Sequence, residues 1–300
     1  MSKQRLRAYV LLIIVAVIWG IAGPVIKFTL NGISTLPFLT YRFLIAGTFA
    51  LGYFLVTKYK FPPKTFLLAL FNGFLAFSVS LGLLFFGLEK TTVLDMTLIT
   101  ILAPLLLVTG GALFFKDKIT SKEKLGIAIV LSGSLFATLY PLFKKGSGQE
   151  FSGNILLYMF LICDTTAALI AKKLARLKTS PLAMANLGFI VGTLTFTPFA
   201  ISKMGVSEIV QQITALPLPY HLGVWYMALI SGTLAYAFYF AGQKTIEVSE
   251  AAIFKYLQPL FGVPLAILWL GESITPHFIF GAVLITIGIV VAESKRSKNK

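Results

Sequence analysis

Stretches of about 20 apolar residues, each closed by charged or turn-forming residues, recur along the whole of this 300-residue chain. An α-helix rises 1.5 Å per residue and needs about that length to cross the hydrocarbon of a bilayer. The pattern predicts ten such helices, at 8–30, 36–57, 65–88, 92–115, 122–141, 152–173, 181–202, 219–243, 247–270 and 275–292. Hydrophobic residues make up 57% of the chain and charged ones only 12%, whereas about a quarter of a soluble domain is charged. The fold class that follows is an all-α membrane protein. Two-residue alternation with frequent turns is missing, which argues against a β-barrel. Basic residues precede the first apolar run, as in a signal peptide. That run is too long and has no small-residue cleavage site, so it is read as the first transmembrane helix.

The formal charge of +15 suggests nucleic acid until the basic residues are placed along the chain. They alternate with the helices. One set of connections carries Arg5 and Arg7, Lys58 and Lys60, Lys116 and Lys118, Lys172 and Lys173, and Lys295 with Arg296; the other carries only Lys27, Lys90, Lys144, Lys145 and Lys203. This is the positive-inside asymmetry, and it puts both termini in the cytoplasm. No nucleic-acid partner is expected. Cys163 is the single cysteine, so no intramolecular disulfide forms. His221 and His277 fall at helix ends, no Cys/His cluster has metal-ligand spacing, and neither metal nor cofactor is expected.

The segment from Gly87 to Gly133 repeats as Gly242 to Gly288 at a constant offset of 155 residues. Pro104 falls on Pro259, Asp95 on Glu250, Asp117 on Glu272, and Gly126 and Gly133 on Gly281 and Gly288. The earlier helices align at an offset near 145, with Lys27 on Lys172. Five helices per copy is an odd number, so the second copy enters the membrane from the opposite side. The expected architecture is ten transmembrane helices as two inverted five-helix repeats, 1–143 and 152–300, joined by a linker at 144–151. The basic tail closes the second repeat. Lys116-Asp117-Lys118 against Gly271-Glu272-Ser273 shows the opposite loop bias that inversion requires.

Trp19-Gly20 with Lys27 in the first helix, Tyr41-Arg42-Phe43 in the second, and Pro259 followed by Leu270-Gly271-Glu272, Gly281 and Gly288 resemble the EamA family of the drug/metabolite transporter superfamily. The resemblance covers essentially the whole chain, with Asp117 standing where the family usually has Glu. It implies an inner-membrane transporter, in many relatives an exporter of amino acids or related metabolites. Fold-level likeness does not choose the cargo.

A charge at the bilayer centre costs at least about 2.5 to 3.5 kcal/mol on insertion scales, so a retained one faces a cavity or a partner. Asp164 in the sixth helix and Lys255 in the ninth meet that description. They are read as lining a midplane cavity, paired with each other or with a zwitterionic cargo; a structural salt bridge between two helices is the alternative. Gln258 follows Lys255 at i+3, on the same helical face. Tyr236 and Tyr239 form an aromatic stripe on the eighth helix, and Trp19 lies deeper than a headgroup-belt tryptophan. These, with Asn72 and Thr100, complete the candidate cargo-binding set. Pro104 and Pro259 each free a carbonyl one turn earlier and are read as paired hinges. Arg42 and Lys27 are expected to snorkel outward, with direct cargo contact as the alternative for Arg42. The carboxylates of Asp95, Glu89, Glu247, Glu250 and Glu272 are expected at helix ends.

The function expected is secondary transport of a small polar metabolite by alternating access, with proton coupling through Asp164 open as an energy source. No Walker A sequence is present to hydrolyse ATP. Monomer is a plausible state. Two other classes compete. An exchanger of phosphorylated cargo or nucleotide sugars requires paired intramembrane cations, for which only Lys255 and Arg42 qualify. A membrane-embedded enzyme requires a nucleophile with a base or a metal cluster at membrane depth, and neither is evident.

Overall fold

A computed structural model describes residues 3–115, 119–140, 148–243 and 254–293. Among these residues the chain is helical, without a strand. Lipid offers no hydrogen bonds, so each backbone N–H and C=O must find a partner inside its own segment, and helices satisfy that condition. The helices are α1 (Lys3–Thr29), α2 (Thr35–Thr57), α3 (Pro63–Gly73), α4 (Leu81–Lys90), α5 (Val93–Thr100), α6 (Ala103–Phe115), α7 (Ser121–Leu139), α8 (Gly148–Arg176), α9 (Pro181–Thr214), α10 (Leu218–Trp225), α11 (Ala235–Gln243), α12 (Gln258–Leu268) and α13 (Pro276–Glu293). Seven continuous helical stretches are long and apolar enough to span a bilayer: Gln4–Thr29, Thr35–Thr57, Pro63–Lys90, Val93–Phe114, Glu150–Arg176, Pro181–Thr214 and Leu218–Tyr239. Phe254–Leu268 and Pro276–Ala292 are shorter apolar helices.

α7 reads as less apolar because Lys122, Glu123 and Lys124 crowd its first turn. Its start is fixed by a capping box: the Glu123 carboxylate accepts the Thr120 N–H at 2.7 Å while the Thr120 hydroxyl accepts the Glu123 N–H at 3.3 Å. Two boundaries differ from expectation. α8 begins at Gly148, inside the expected linker; residues 144–147 of that linker lie outside the described residues, as do 116–118, 244–253 and the basic tail. The expected connection at 203–218 is largely helical, to Thr214; Gly205, with φ 79° and ψ 159°, interrupts the ladder, so α9 is two helical pieces joined across a kink. The segment after it buries Ile209 and is tied down by the Ser34 hydroxyl, which donates to Gln212 Oε1 at 2.8 Å.

Two helices contain a widened π-helical stretch, Phe74–Ser80 between α3 and α4 and Tyr226–Leu234 between α10 and α11. The repeat offset of 155 lays the first on residues 229–235, within one widened turn of the second. A π-helical turn loosens the regular ladder and leaves carbonyls available to other helices. The second stretch uses them: Trp19 Nε1 donates to the Ser231 carbonyl at 3.1 Å, and Arg42 Nε to the Met227 carbonyl at 3.1 Å. A second pair of irregularities lies just before the two matched prolines. α5 and α6 are separated by a turn at Ile101 and Leu102, and α12 is preceded by a 3-10 turn, Phe254–Leu257. Proline lacks the N–H and clashes with the carbonyl four residues back, which is Thr100 for Pro104 and Lys255 for Pro259.

Between helices in lipid there is no hydrophobic drive, so contact rests on close backbone approach through small residues. α7 and α13 meet in this way along their length. A Cβ added at Gly133 would lie 3.0 Å from the Gly281 carbonyl oxygen, and one at Gly281 would lie 2.9 Å from that of Gly133. Gly126 and Gly288 abut reciprocally in the same manner, so the two helices run antiparallel. The contacts of α1 with α11 and of α8 with α4 also correspond. Gly242 abuts Leu12 and the Ala8 carbonyl; Gly87 abuts Leu157 and the Gly153 carbonyl. Offsets of 155 and 145 convert the first contact into the second, residue for residue. The apolar core gathers Phe38, Phe43, Phe85, Phe189 and Phe196 around α2, α4 and α9, while Leu55, Val56, Leu67, Leu113 and Leu268 point outward.

Candidate functional site

A narrow cleft, with a cavity volume of about 10 Å³, opens beside the N-terminal half of α1. Leu12, Val15, Ala16 and Trp19 of α1 form one wall, and Tyr239, Phe254, Lys255 and Gln258 the other. The walls are held together by two glycines. A Cβ at Gly20 would meet the Gln258 carbonyl oxygen at 2.6 Å, and one at Gly262 would meet the Gly20 carbonyl oxygen at 2.9 Å. This approach sets Trp19 and Gln258 side by side. Lys255 sits on the 3-10 turn rather than in a regular helix, yet it and Gln258 both reach the cleft.

The rings of Tyr236 and Tyr239 stand 5.4 and 5.2 Å from that of Trp19. Tyr236 also meets Phe77 and Phe189, so it joins the cleft wall to the aromatic core. Trp19 is less free than the sequence suggests, since its one donor is taken by Ser231. Tyr226 adds a second strap, its hydroxyl donating to the Ile18 carbonyl at 2.6 Å. The π-helical stretch is therefore clamped to α1 immediately beside the cleft.

Asp164 on α8 is half-buried and lies within electrostatic reach of Lys255 and Tyr236. Among the described residues no direct ion pair closes the gap between Asp164 and Lys255. The arrangement is two opposite charges near each other, one of them, Lys255, on a cleft lined mostly by apolar and aromatic side chains. Arg42 does not snorkel. Its side chain is 3% exposed, flanked by the rings of Phe43 and Phe85 at 5.4 and 5.2 Å, and its Nη1 has no hydrogen-bond partner. The apolar shell of α2, α4 and α9 closes the way to the headgroups.

Other expected residues are not brought to the cleft lining. Asn72 is buried on α3 next to the contact of Gly73 with Gly188, with its Oδ1 unpartnered. Thr100 turns back on its own chain, donating to the Thr97 carbonyl at 3.4 Å. Pro104 and Pro259 open α6 and α12 just after the two breaks. Glu250 and Glu247 lie outside the described residues.

The end of the bundle away from the cleft is held by a clasp that the sequence does not announce. Lys27 donates to the carbonyls of Leu88, Glu89 and Thr91 at 2.9, 3.3 and 2.7 Å, covering the C-terminal end of α4. Glu272 accepts the N–H groups of Val93 and Leu94 at 2.7 and 3.0 Å, covering the N-terminal end of α5. Each charge complements the helix end it meets. Burial pushes the Glu272 carboxyl up from the ordinary glutamate range, against the two N–H bonds and the charge of Lys27. Beneath it, Asp95 Oδ2 accepts from Asn154 Nδ2 at 2.8 Å, and Asn154 in turn joins α8 to the Thr138 carbonyl of α7. The helix-end role expected of Glu272 is fulfilled on another helix, across the bundle.

Spanning helices with outward apolar faces, holding ionisable side chains at depth beside a small cleft, form the arrangement of an integral membrane transporter. The chain belongs to the EamA-like transporter family, matching it over residues 6–139 and 151–293, within the drug/metabolite transporter superfamily. An uncharacterized transporter, YetK, of Bacillus subtilis (strain 168) is 27% identical over 304 residues, covering 99% of this chain and 89% of the relative. A probable amino-acid metabolite efflux pump of Salmonella typhimurium is 26% identical, covering 94% and 93%. One crystal structure superposes with a TM-score of 0.64 across 97% of this chain and 99% of its own, at 14% identity, a likeness of fold.

Proposed function

We propose that this transporter moves small polar metabolites, amino acids or related compounds, by alternating access between two inverted five-helix halves. The observation that carries the cargo reading is the cleft in which Tyr239, Lys255 and Gln258 face Trp19, with Asp164 in electrostatic reach. A zwitterion presents an ammonium to Asp164 and a carboxylate to a cation. The efflux-pump name of the Salmonella relative supports the same class and the direction of export. The two matched segments, the reciprocal glycine contacts, the twin π-helical stretches and the twin breaks before Pro104 and Pro259 all support ten crossings in two inverted repeats, with boundaries near 143 and 152.

The positive-inside asymmetry supports an inner-membrane location with both termini cytoplasmic. On that orientation the cleft, beside the first half of α1, opens toward the cytoplasm, and the clasp of Lys27 and Glu272 seals the outer end. Pro104 and Pro259 then mark the points where the fourth and ninth crossings bend.

The test is flux of radiolabelled amino acids in proteoliposomes, preceded by a thermal-shift competition among amino acids, nucleosides and phosphorylated metabolites. Saturable uptake of an amino acid is expected. Stabilisation by phosphorylated compounds alone would replace this reading with the exchanger class. A response to an imposed pH gradient would place proton coupling on Asp164, whereas unchanged flux would remove it.

A further inference from the structure

Among the described residues Arg42 has no anionic hydrogen-bond partner, which a buried cation ordinarily has. It is 3% exposed, its Nε is committed to the Met227 carbonyl, and its Nη1 is buried with no partner. An uncompensated interior charge is costly, and the cost falls when an anion arrives. Phe43 and Phe85 offer ring faces but no negative group. Tyr236 lies in electrostatic reach of Arg42 and also of Asp164, and its ring touches Trp19 of the cleft wall. Tyr236 thus stands between the cleft wall and Arg42.

Charge then selects the cargo. Asp164 and Lys255 lie in electrostatic reach of each other, whereas Arg42 has no anionic hydrogen-bond partner among the described residues. A zwitterion brings no net charge to offset the guanidinium, while a cargo of net charge −1 does.

Resting on the amino-acid-related reading above, we propose that Arg42 is the carboxylate-binding residue and that the preferred cargo is a small monoanionic carboxylate, such as an acidic or N-acylated amino acid. A guanidinium suits this task because its planar N–H groups match a carboxylate and it stays charged when buried.

The test compares alanine, glutamate, N-acetylalanine and N-acetylalanine amide as ligands of purified protein, by thermal shift and isothermal titration. Wild type is expected to bind the two anions most tightly, with the amide about tenfold or more weaker. Arg42→Gln is expected to erase the difference between N-acetylalanine and its amide, and Arg42→Lys to restore part of it. A purely structural strap would lower stability without changing that ratio. Retention of the ratio in Arg42→Gln overturns the proposal, as does equal binding of acid and amide by wild type; in both cases the transport reading stands. Should Arg42→Gln not fold, the wild-type comparison and Arg42→Lys decide between the same two outcomes. Binding of none of the four by wild type overturns the amino-acid reading itself.

Discussion

Lys255 and Trp19 face the same cleft with different tasks. Lys255 brings a charge to the cleft and has a carboxylate in electrostatic reach, while Trp19 spends its only donor on the π-helical backbone. Substituting Asp164→Asn or Lys255→Met is therefore expected to abolish flux in proteoliposomes while leaving the purified yield and helical circular dichroism unchanged. Wild-type flux in both variants would refute the midplane reading. Trp19→Phe keeps the ring and loses one buried hydrogen bond, leaving the Ser231 carbonyl unserved. A loss of about 1 kcal/mol of stability is expected, read as a lower melting temperature. Single residues were only partly legible beforehand. An isolated charge in an apolar run is visible in any sequence, so Asp164, Lys255 and Arg42 stood out. Whether such a charge snorkels or is enclosed depends on what surrounds it, and of the rings that flank Arg42 only Phe43 is its neighbour in sequence, while Phe85 comes from α4.

The breaks before Pro104 and Pro259 could be read from composition, since proline ends a helical ladder by its own chemistry. The π-helical stretches could not. Phe74–Ser80 and Tyr226–Leu234 carry no proline; the donors that hold the second one open, Trp19, Arg42 and the Tyr226 strap to Ile18, are satisfied only after helices far apart in sequence meet. Restoring a regular ladder at the hinges is expected to stiffen the element. Pro104→Ala and Pro259→Ala should each slow turnover several-fold at nearly constant KM, and equal initial rates to wild type would exclude a hinge role. At the α7 and α13 contact the glycines are reciprocal and the repeat makes Gly288 the counterpart of Gly133, so Gly133→Val and Gly288→Val should destabilise the protein by similar amounts, about 1 to 3 kcal/mol through overpacking. Strongly unequal melting temperatures would show that the two sides of the contact are not equivalent.

At the scale of the whole molecule, the cleft at one end and the clasp at the other describe a bundle closed on one side only. The hydropathy pattern and the repeat announced helices and a duplication, because both arise from local composition and register. The clasp was hidden because Lys27, the turn around Thr91 and Glu272 lie far apart in the chain. Removing it with Lys27→Met and Glu272→Gln together should expose the α5 end: in a Cys163→Ala background, Leu94→Cys, at a position 3% exposed, should react several-fold faster with an impermeant maleimide from the outer face. Unaltered labelling would show that the outer seal rests on apolar packing alone. The glycine contact between α7 and α13 has a consequence of another kind. On the inverted-repeat reading, the Gly133–Gly281 contact maps onto Gly288–Gly126 about a two-fold axis, the geometry by which two identical subunits recognise each other. A five-helix ancestor able to insert in both orientations would already have owned this surface as a homodimer. Fusion of its two copies then left each half free to acquire residues, such as Lys255 opposite Thr100, that a symmetric pair could never have held singly.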